Sequence, residues 1–154
     1  MKFDNTNINI KQNSGIDLSF GIVKSLWNKD ITDNLYIGAK KKLKEHGVKS
    51  NNIFTLNVPG SFELIYGTKK MIKTHKIHGV IVIGSIIKGE TPHFEFISQT
   101  VSNGIKDLNI LFDIPIIFCV LTDLNKQQAT DRSGGKHGNK GEDAALAALH
   151  LLTQ

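Results

Sequence analysis

The chain has 154 residues, 40% of them apolar, which suits one domain with a real core. No run of about eighteen apolar residues occurs, so no spanning helix is expected, and the polar, Asn-rich stretch 1–15 lacks the apolar segment of a secretory signal. The net charge of +5 rests on 19 basic residues of which Arg132 is the single arginine; without aromatic–basic interleaving it reads as lysine-solvated helix faces, and no nucleic-acid partner is expected.

Residues 1–15 lack periodicity and read as an extended or mobile N-terminal arm, with 16–154 as the domain. Leu18 to Val23 is a short apolar run of strand length. Ile31, Leu35, Ala39 and Leu43 follow at helical spacing, and Gly47 closes that helix. Ile53 to Val58 alternates as a strand does. Phe62, Ile65, Lys69 and Ile72 resume the helical interval. Val80 to Ile87 (VIVIGSII) is apolar on both faces, which predicts a central parallel strand. A helix over Pro92 to Ile105 follows, with Thr91 as N-cap and Pro92 at its first position. Ile114 to Thr122 is the fourth strand. It holds the single cysteine, Cys119, which excludes an intrachain disulfide and fits a reducing cytoplasm. Helices over Lys126 to Arg132 and Gly141 to Leu152 finish the chain, separated by the glycine-rich link Ser133 to Gly141. Strict strand–helix alternation predicts a three-layer α/β/α sandwich around a four-stranded parallel sheet, flavodoxin-like, with room for an extra N-terminal edge strand.

Ligands of such sheets bind beyond the carboxyl ends of the strands. The unusual residues of this sequence fall there: Trp27 after the first strand, Pro59 to Glu63 after the second, Gly84 to His93 after the third, and Phe118 to Thr122 closing the fourth. Trp27 is either a core residue or a flat face for stacking a planar ring. Glu63, in a first helical turn, is either a capping carboxylate or an acceptor for ligand donors. Gly89-Glu90-Thr91-Pro92-His93 opens a helix whose N-terminus suits an anion. His93 is either an exposed first-turn residue or a group that takes and returns protons near physiological pH. Arg132, Lys136 and Lys140, set among glycines, are either a solvated loop or a phosphate cluster in which Arg132 binds two oxygens together. His75 and His78 lack a nearby Cys or acidic residue to complete a metal site, and no metal is expected.

Taken in order, Trp27-Asn28-Lys29-Asp30-Ile31-Thr32, Val58 to Leu64 (VPGSFEL), Gly84 to Ile97 (GSIIKGETPHFEFI), Pro115 to Thr122, and Gln128 to Arg132 through Asn139-Lys140-Gly141 resemble the lumazine synthase family, over about Phe20 to Leu152. The resemblance implies condensation of 5-amino-6-(D-ribitylamino)uracil with 3,4-dihydroxy-2-butanone 4-phosphate, without cofactor or metal. It implies that Trp27 stacks on the pyrimidine, in a place where the family commonly has Phe. Ser61, Phe62 and Glu63 would hold the ribityl chain, and Ser85, Ile86 and Ile87 would line the ring pocket. Glu90 and Thr91 would cradle the phosphate, with Arg132 reaching it from a neighbouring subunit. Phe118 would close over the ring from that neighbour, Lys140 would lie near the same site, and His93 would transfer protons. It further implies a homopentamer with active sites between adjacent subunits. The compact Gly134–Asn139 link resembles members that form icosahedral shells of sixty chains, for which riboflavin synthase is a candidate partner. Two departures stand out: Ile65 where the family often has Pro, and a variant Thr122–Gln128 segment. The rival readings are an archaeal-type riboflavin synthase, a flavin- or nucleotide-binding module without catalysis, and a shell protein that has lost activity.

Overall fold

The computed structural model describes residues 9–154. Strands β1 (Phe20–Ser25), β2 (Ile53–Val58), β3 (Gly79–Ile87) and β4 (Ile116–Asp123) form one parallel sheet in the order β2-β1-β3-β4. Helices α1 (Lys29–Glu45) and α5 (Lys140–Leu152) pack together on one face; α2 (Leu64–Thr74) and α3 (His93–Leu111) cover the other. The short α4 (Lys126–Arg132) follows β4. This is the expected three-layer sandwich. β3 is central, as its two-sided apolarity requires: Ile81 and Ile83 face Leu35, Leu43 and Leu149, whereas Val80 and Val82 face Leu64, Met71 and Ile105.

Several boundaries differ from the sequence reading, each for a tertiary reason. β1 begins two residues later and continues through Lys24 and Ser25, because its register carries Lys24 opposite Asn57 and Ile83. Lys24 is buried there, ion-paired to Asp33 and 5.6 Å from the Tyr36 ring centroid. Hydrogen bonds from Lys24 and then Lys29 hold the Asp33 carboxyl below the usual carboxylate range. Helix α2 starts at Leu64, with residues 61–63 forming the turn into it. Helix α3 starts at His93 with Pro92 in the cap position and no side-chain cap bond, and it runs on to Leu111. Gly104 does not end it. A Cβ there would lie 2.5 Å from Ile65 Cδ1, so the small residue marks where α2 and α3 pack, and Ile65 is the knob.

The glycine-rich link is not a loose tether but a tight antiparallel pair, β5 (Ser133–Gly135) and β6 (Gly138–Asn139), with positive φ at Gly134 and Gly138. Of the arm, residues 1–8 and any edge strand they would add lie outside the described residues. Residues 12–17 form turns rather than an extended segment, and Gly15 N–H donates to His46 O at 2.9 Å, tying the arm to the end of α1. Asn139 then caps α5, its Oδ1 accepting from Gly141 N–H at 2.8 Å.

Helices α1 and α5 approach closely at Gly141, where a Cβ would stand 1.9 Å from Leu35 O. The obstacle is helix backbone, which cannot swing aside. Gly141→Ala is therefore expected to cost about 3 kcal/mol, measured as a fall in the urea unfolding midpoint.

Candidate active site

Between β1 and β3 the direction of strand addition reverses, and in open parallel sheets a crevice forms at that reversal. Three segments leave the sheet there. After β1, Leu26 N–H donates to Val58 O (2.8 Å) and Trp27 N–H to Pro59 O (3.1 Å), so the first two strands stay laced past their ends. Asn28 adopts a left-handed conformation (φ 52°), and its Nδ2 donates to Ser85 O at 2.9 Å. One side chain thus ties the β1–α1 turn to the end of β3. Trp27, turned outward by this arrangement, is 67% exposed; the core alternative is excluded.

The turn after β2 is held by Glu63, whose Oε2 accepts from Gly60 N–H at 2.8 Å. This bond closes the turn and does not cap α2, where Glu63 stands at the cap position with no side-chain cap bond; the residue also lines the crevice. Ser61 is buried beneath the turn, and Phe62 lies exposed beside it. At the end of β3 the loop passes through Gly89 and Thr91 to His93, the first residue of α3.

Together these segments enclose a cleft of about 510 Å³. Of the residues singled out in the sequence, Trp27, Ser61, Phe62, Glu63, Ser85, Ile86, Ile87, Thr91 and His93 line it. Gly60 and Gly89 join them, as do Phe94 and Ile97, which belong to the Gly84–Ile97 motif but carry no expected role. Their signal was present: they sit one and four residues after His93, on the first turns of the helix that opens at the site. The lining is an apolar wall with a few polar groups, the usual make-up of a small-molecule site. Nearby, Lys88 Nζ is 2.9 Å from Glu95 Oε1, and that contact keeps the Glu95 carboxyl below its ordinary range.

The other candidates lie elsewhere. Glu90 is exposed in the same loop without lining the cleft. Phe118 stands in the middle of β4, opposite Val82; the end of β4 reaches the same rim as the others, with Asp123 opposite Ile87, but β4 contributes no residue to the lining of this cleft. Phe118 projects from the edge strand, 41% exposed. Arg132 ends α4, with Nη1 donating to Gln128 O at 3.0 Å and Nε 3.8 Å from Asp123 Oδ1. Lys140 opens α5 and donates to Asp143 at 2.6 Å. None of these three lines the cleft of its own chain. Lys136 pairs with Asp131 at 3.4 Å; a bond from Gln127 and then one from Lys136 hold that carboxyl low.

Cys119 is buried, and burial pushes its thiol up to about 12, which removes it as a nucleophile near neutrality. Among the described residues, no His, Cys, Asp or Glu group is arranged to hold a metal ion, and no helix is long and apolar enough to cross a membrane.

Comparison with known proteins agrees with this geometry. The family model described as 6,7-dimethyl-8-ribityllumazine synthase matches residues 17–154. A 6,7-dimethyl-8-ribityllumazine synthase of Flavobacterium johnsoniae is 58% identical over 135 residues, covering 88% of this chain and 71% of that protein. The same-named protein of Flavobacterium psychrophilum is 60% identical, over 86% of this chain and 70% of its own length. That of Christiangramia forsetii is 54% identical, over 88% and 81%.

The tie through Asn28 can be separated into its two parts. Asn28→Ala loses the bond to Ser85 O and also places a Cβ residue with no local compensation in left-handed space, at an expected cost of about 2 kcal/mol. Asn28→Gly loses the bond alone, about 1 kcal/mol. Urea denaturation of both variants reads the difference; equal losses would mean that conformation contributes nothing.

Proposed function

We propose the following reaction for this chain, which belongs to the 6,7-dimethyl-8-ribityllumazine synthase family. It condenses 5-amino-6-(D-ribitylamino)uracil with 3,4-dihydroxy-2-butanone 4-phosphate to 6,7-dimethyl-8-ribityllumazine, releasing phosphate and water. The observation that carries this reading is the cleft itself, in which an exposed indole, the Ser61–Glu63 turn, the end of β3 and the His93 imidazole share one cavity. The indole offers a flat face to a pyrimidine. Ser61, Phe62 and Glu63 suit the ribityl chain, and Ser85 to Ile87 line the ring position. Glu90 and Thr91 lie in the loop that opens α3, where a helix start favours phosphate.

Imine formation, phosphate elimination and ring closure each move a proton, and one imidazole with trapped water assists all three. The larger part of the acceleration comes from holding two substrates together in reactive geometry. No step calls for a redox group. The rival readings as a riboflavin synthase or a binding module are not favoured by the family match.

The active form is a homo-oligomer in this reading, with Phe118, Arg132 and Lys140 serving the cleft of an adjacent subunit. Two observations support it. These residues stand outside the cleft of their own chain. In addition, Phe96 near the start of α3 and Ile110 and Leu111 at its end are 70%, 77% and 71% exposed, apolar side chains that a neighbouring subunit would cover. A pentamer is the unit, and the compact β5–β6 pair favours its assembly into a sixty-chain shell. A cytoplasmic location is compatible with the single buried thiol.

Mixing the two substrates with the purified protein is expected to give lumazine fluorescence, and its absence would overturn the assignment. His93→Ala should slow turnover roughly a hundredfold without abolishing it; a wild-type rate would remove His93 from the mechanism. Arg132→Gln should raise KM for the phosphate-bearing substrate roughly tenfold or more while leaving KM for the pyrimidine nearly unchanged. Light scattering separates five-chain from sixty-chain particles.

A further inference from the structure

Asp123 closes β4 and is 5% exposed. Its backbone carbonyl accepts from Lys88 N–H at 2.9 Å, which fixes it against the end of β3. Its carboxylate is poorly served. Oδ2 is buried without a hydrogen-bond partner, and Oδ1 faces Arg132 Nε at 3.8 Å. Burial pushes this carboxyl above its ordinary range and the Arg132 guanidinium pulls it back. The neighbouring acid Asp131 differs, since Gln127 and Lys136 both serve it. A carboxylate withdrawn from water beside one cation is costly to keep, and it binds that cation's orientation to its own.

Arg132 has a second anchor in the Nη1 bond to Gln128 O, one turn back on α4. The Gln128 anchor is a hydrogen bond through one hydrogen of Nη1, whereas the Asp123 carboxylate, at 3.8 Å, holds the Nε side by charge. Nη2 and the second Nη1 hydrogen are left as a planar fork of the kind that grips phosphate oxygens.

We propose that Asp123 is a positioning residue for the phosphate subsite: its buried charge, 3.8 Å from Nε, holds the Arg132 guanidinium in place, so that it meets a phosphate monoester already oriented. The proposal rests on the reading of Arg132 as a phosphate ligand. An unanchored arginine must lose its rotamer freedom when the anion arrives, whereas an anchored one has lost it on folding. Asp123 acts from behind, buried in the sheet edge and touching no substrate. It therefore changes affinity for the phosphate group and not the chemistry at the pyrimidine.

The test uses the intact protein and inorganic phosphate as probe. Binding is measured by calorimetry, beside steady-state KM values for both substrates, in wild type, Asp123→Asn, Arg132→Gln and the double variant. Asp123→Asn keeps the shape and removes the charge. It is expected to weaken inorganic phosphate roughly fivefold and to raise KM for the phosphate-bearing substrate by a similar factor. KM for the pyrimidine and kcat should stay within about twofold, and adding Asp123→Asn to Arg132→Gln should change nothing further. Wild-type phosphate affinity in Asp123→Asn, with Arg132→Gln weakened, overturns the positioning role alone. So does an equal loss in the Arg132→Gln background, because Asp123 would then act independently of the arginine. Wild-type phosphate affinity in Arg132→Gln overturns the phosphate role of Arg132 and the positioning role with it. Should Asp123→Asn fail to fold, Asp123→Ser, smaller and equally uncharged, carries the same comparison.

Discussion

β1 hydrogen-bonds to β2 on one side and to β3 on the other, and all three run parallel. Their carboxyl ends therefore reach one edge of the sheet together, while α1 and α2 depart to opposite faces. A crevice at that edge is unavoidable, because no helix can cover the strand pair from which the chain leaves in both directions. Everything chemically distinctive in the cleft hangs on this arrangement. Trp27 leaves β1, the Ser61–Glu63 turn leaves β2, and the Gly89–His93 loop leaves β3. The Asn28 bond to Ser85 O and the lacing of Leu26 and Trp27 to the β2 end then fix the three exits relative to one another.

Charge is handled in two different ways around this frame. Lys24, in the middle of the sheet, is neutralised by Asp33 from α1 and rests against Tyr36, so a lysine occupies a strand without an unpaired charge. Asp33 in turn is shared with Lys29, and the cluster is a complete structural network. Asp123 is the opposite case. It is as buried as Lys24, yet one of its oxygens has no partner and the other faces a single arginine across 3.8 Å. A buried carboxylate oxygen without a partner departs from the usual satisfaction of buried polar groups.

The cleft and the basic elements belong to different parts of the chain. The cleft is an apolar cavity with a few polar points, suited to a planar heterocycle and its side chain. Arg132, Lys136 and Lys140 sit on α4, the β5–β6 pair and α5, where each meets an acidic residue of its own chain. Condensation of a pyrimidine amine with a phosphorylated ketone asks for both environments at once. In the proposed homo-oligomer, a ring of identical subunits would supply them by setting the cleft of one chain against the basic elements of the next. The exposed Phe96, Ile110 and Leu111 of α3 are the apolar side chains such a ring would cover.

The sequence by itself determined the elements whose signals are local. The VIVIGSII run specified a central strand because apolar side chains on both faces can be satisfied only between two helix layers. The spacing of Leu35, Ala39 and Leu43 specified α1, and Trp27, the Ser61–Glu63 turn and His93 marked the rim because each interrupts a pattern just where a strand ends. What the sequence left undecided involves partners far along the chain. Lys24 falls just past the apolar run that predicts β1, yet Asp33 and Tyr36 accommodate it within the strand, and Gly104 lies inside α3 where Ile65 of α2 packs in the place a side chain would take. The glycine link looked flexible because composition does not reveal strand pairing, yet β5 and β6 bond across it. Phe118 sits in an apolar strand either way; only the position of β4 at the sheet edge turned it outward and away from the cleft. Asp123 stands out in the sequence only as part of the variant Thr122–Gln128 segment, since nothing in a run of residues tells which acid will be enclosed with one arginine. Periodicity is a property of neighbours, whereas burial, pairing and orientation are set by what the fold brings alongside.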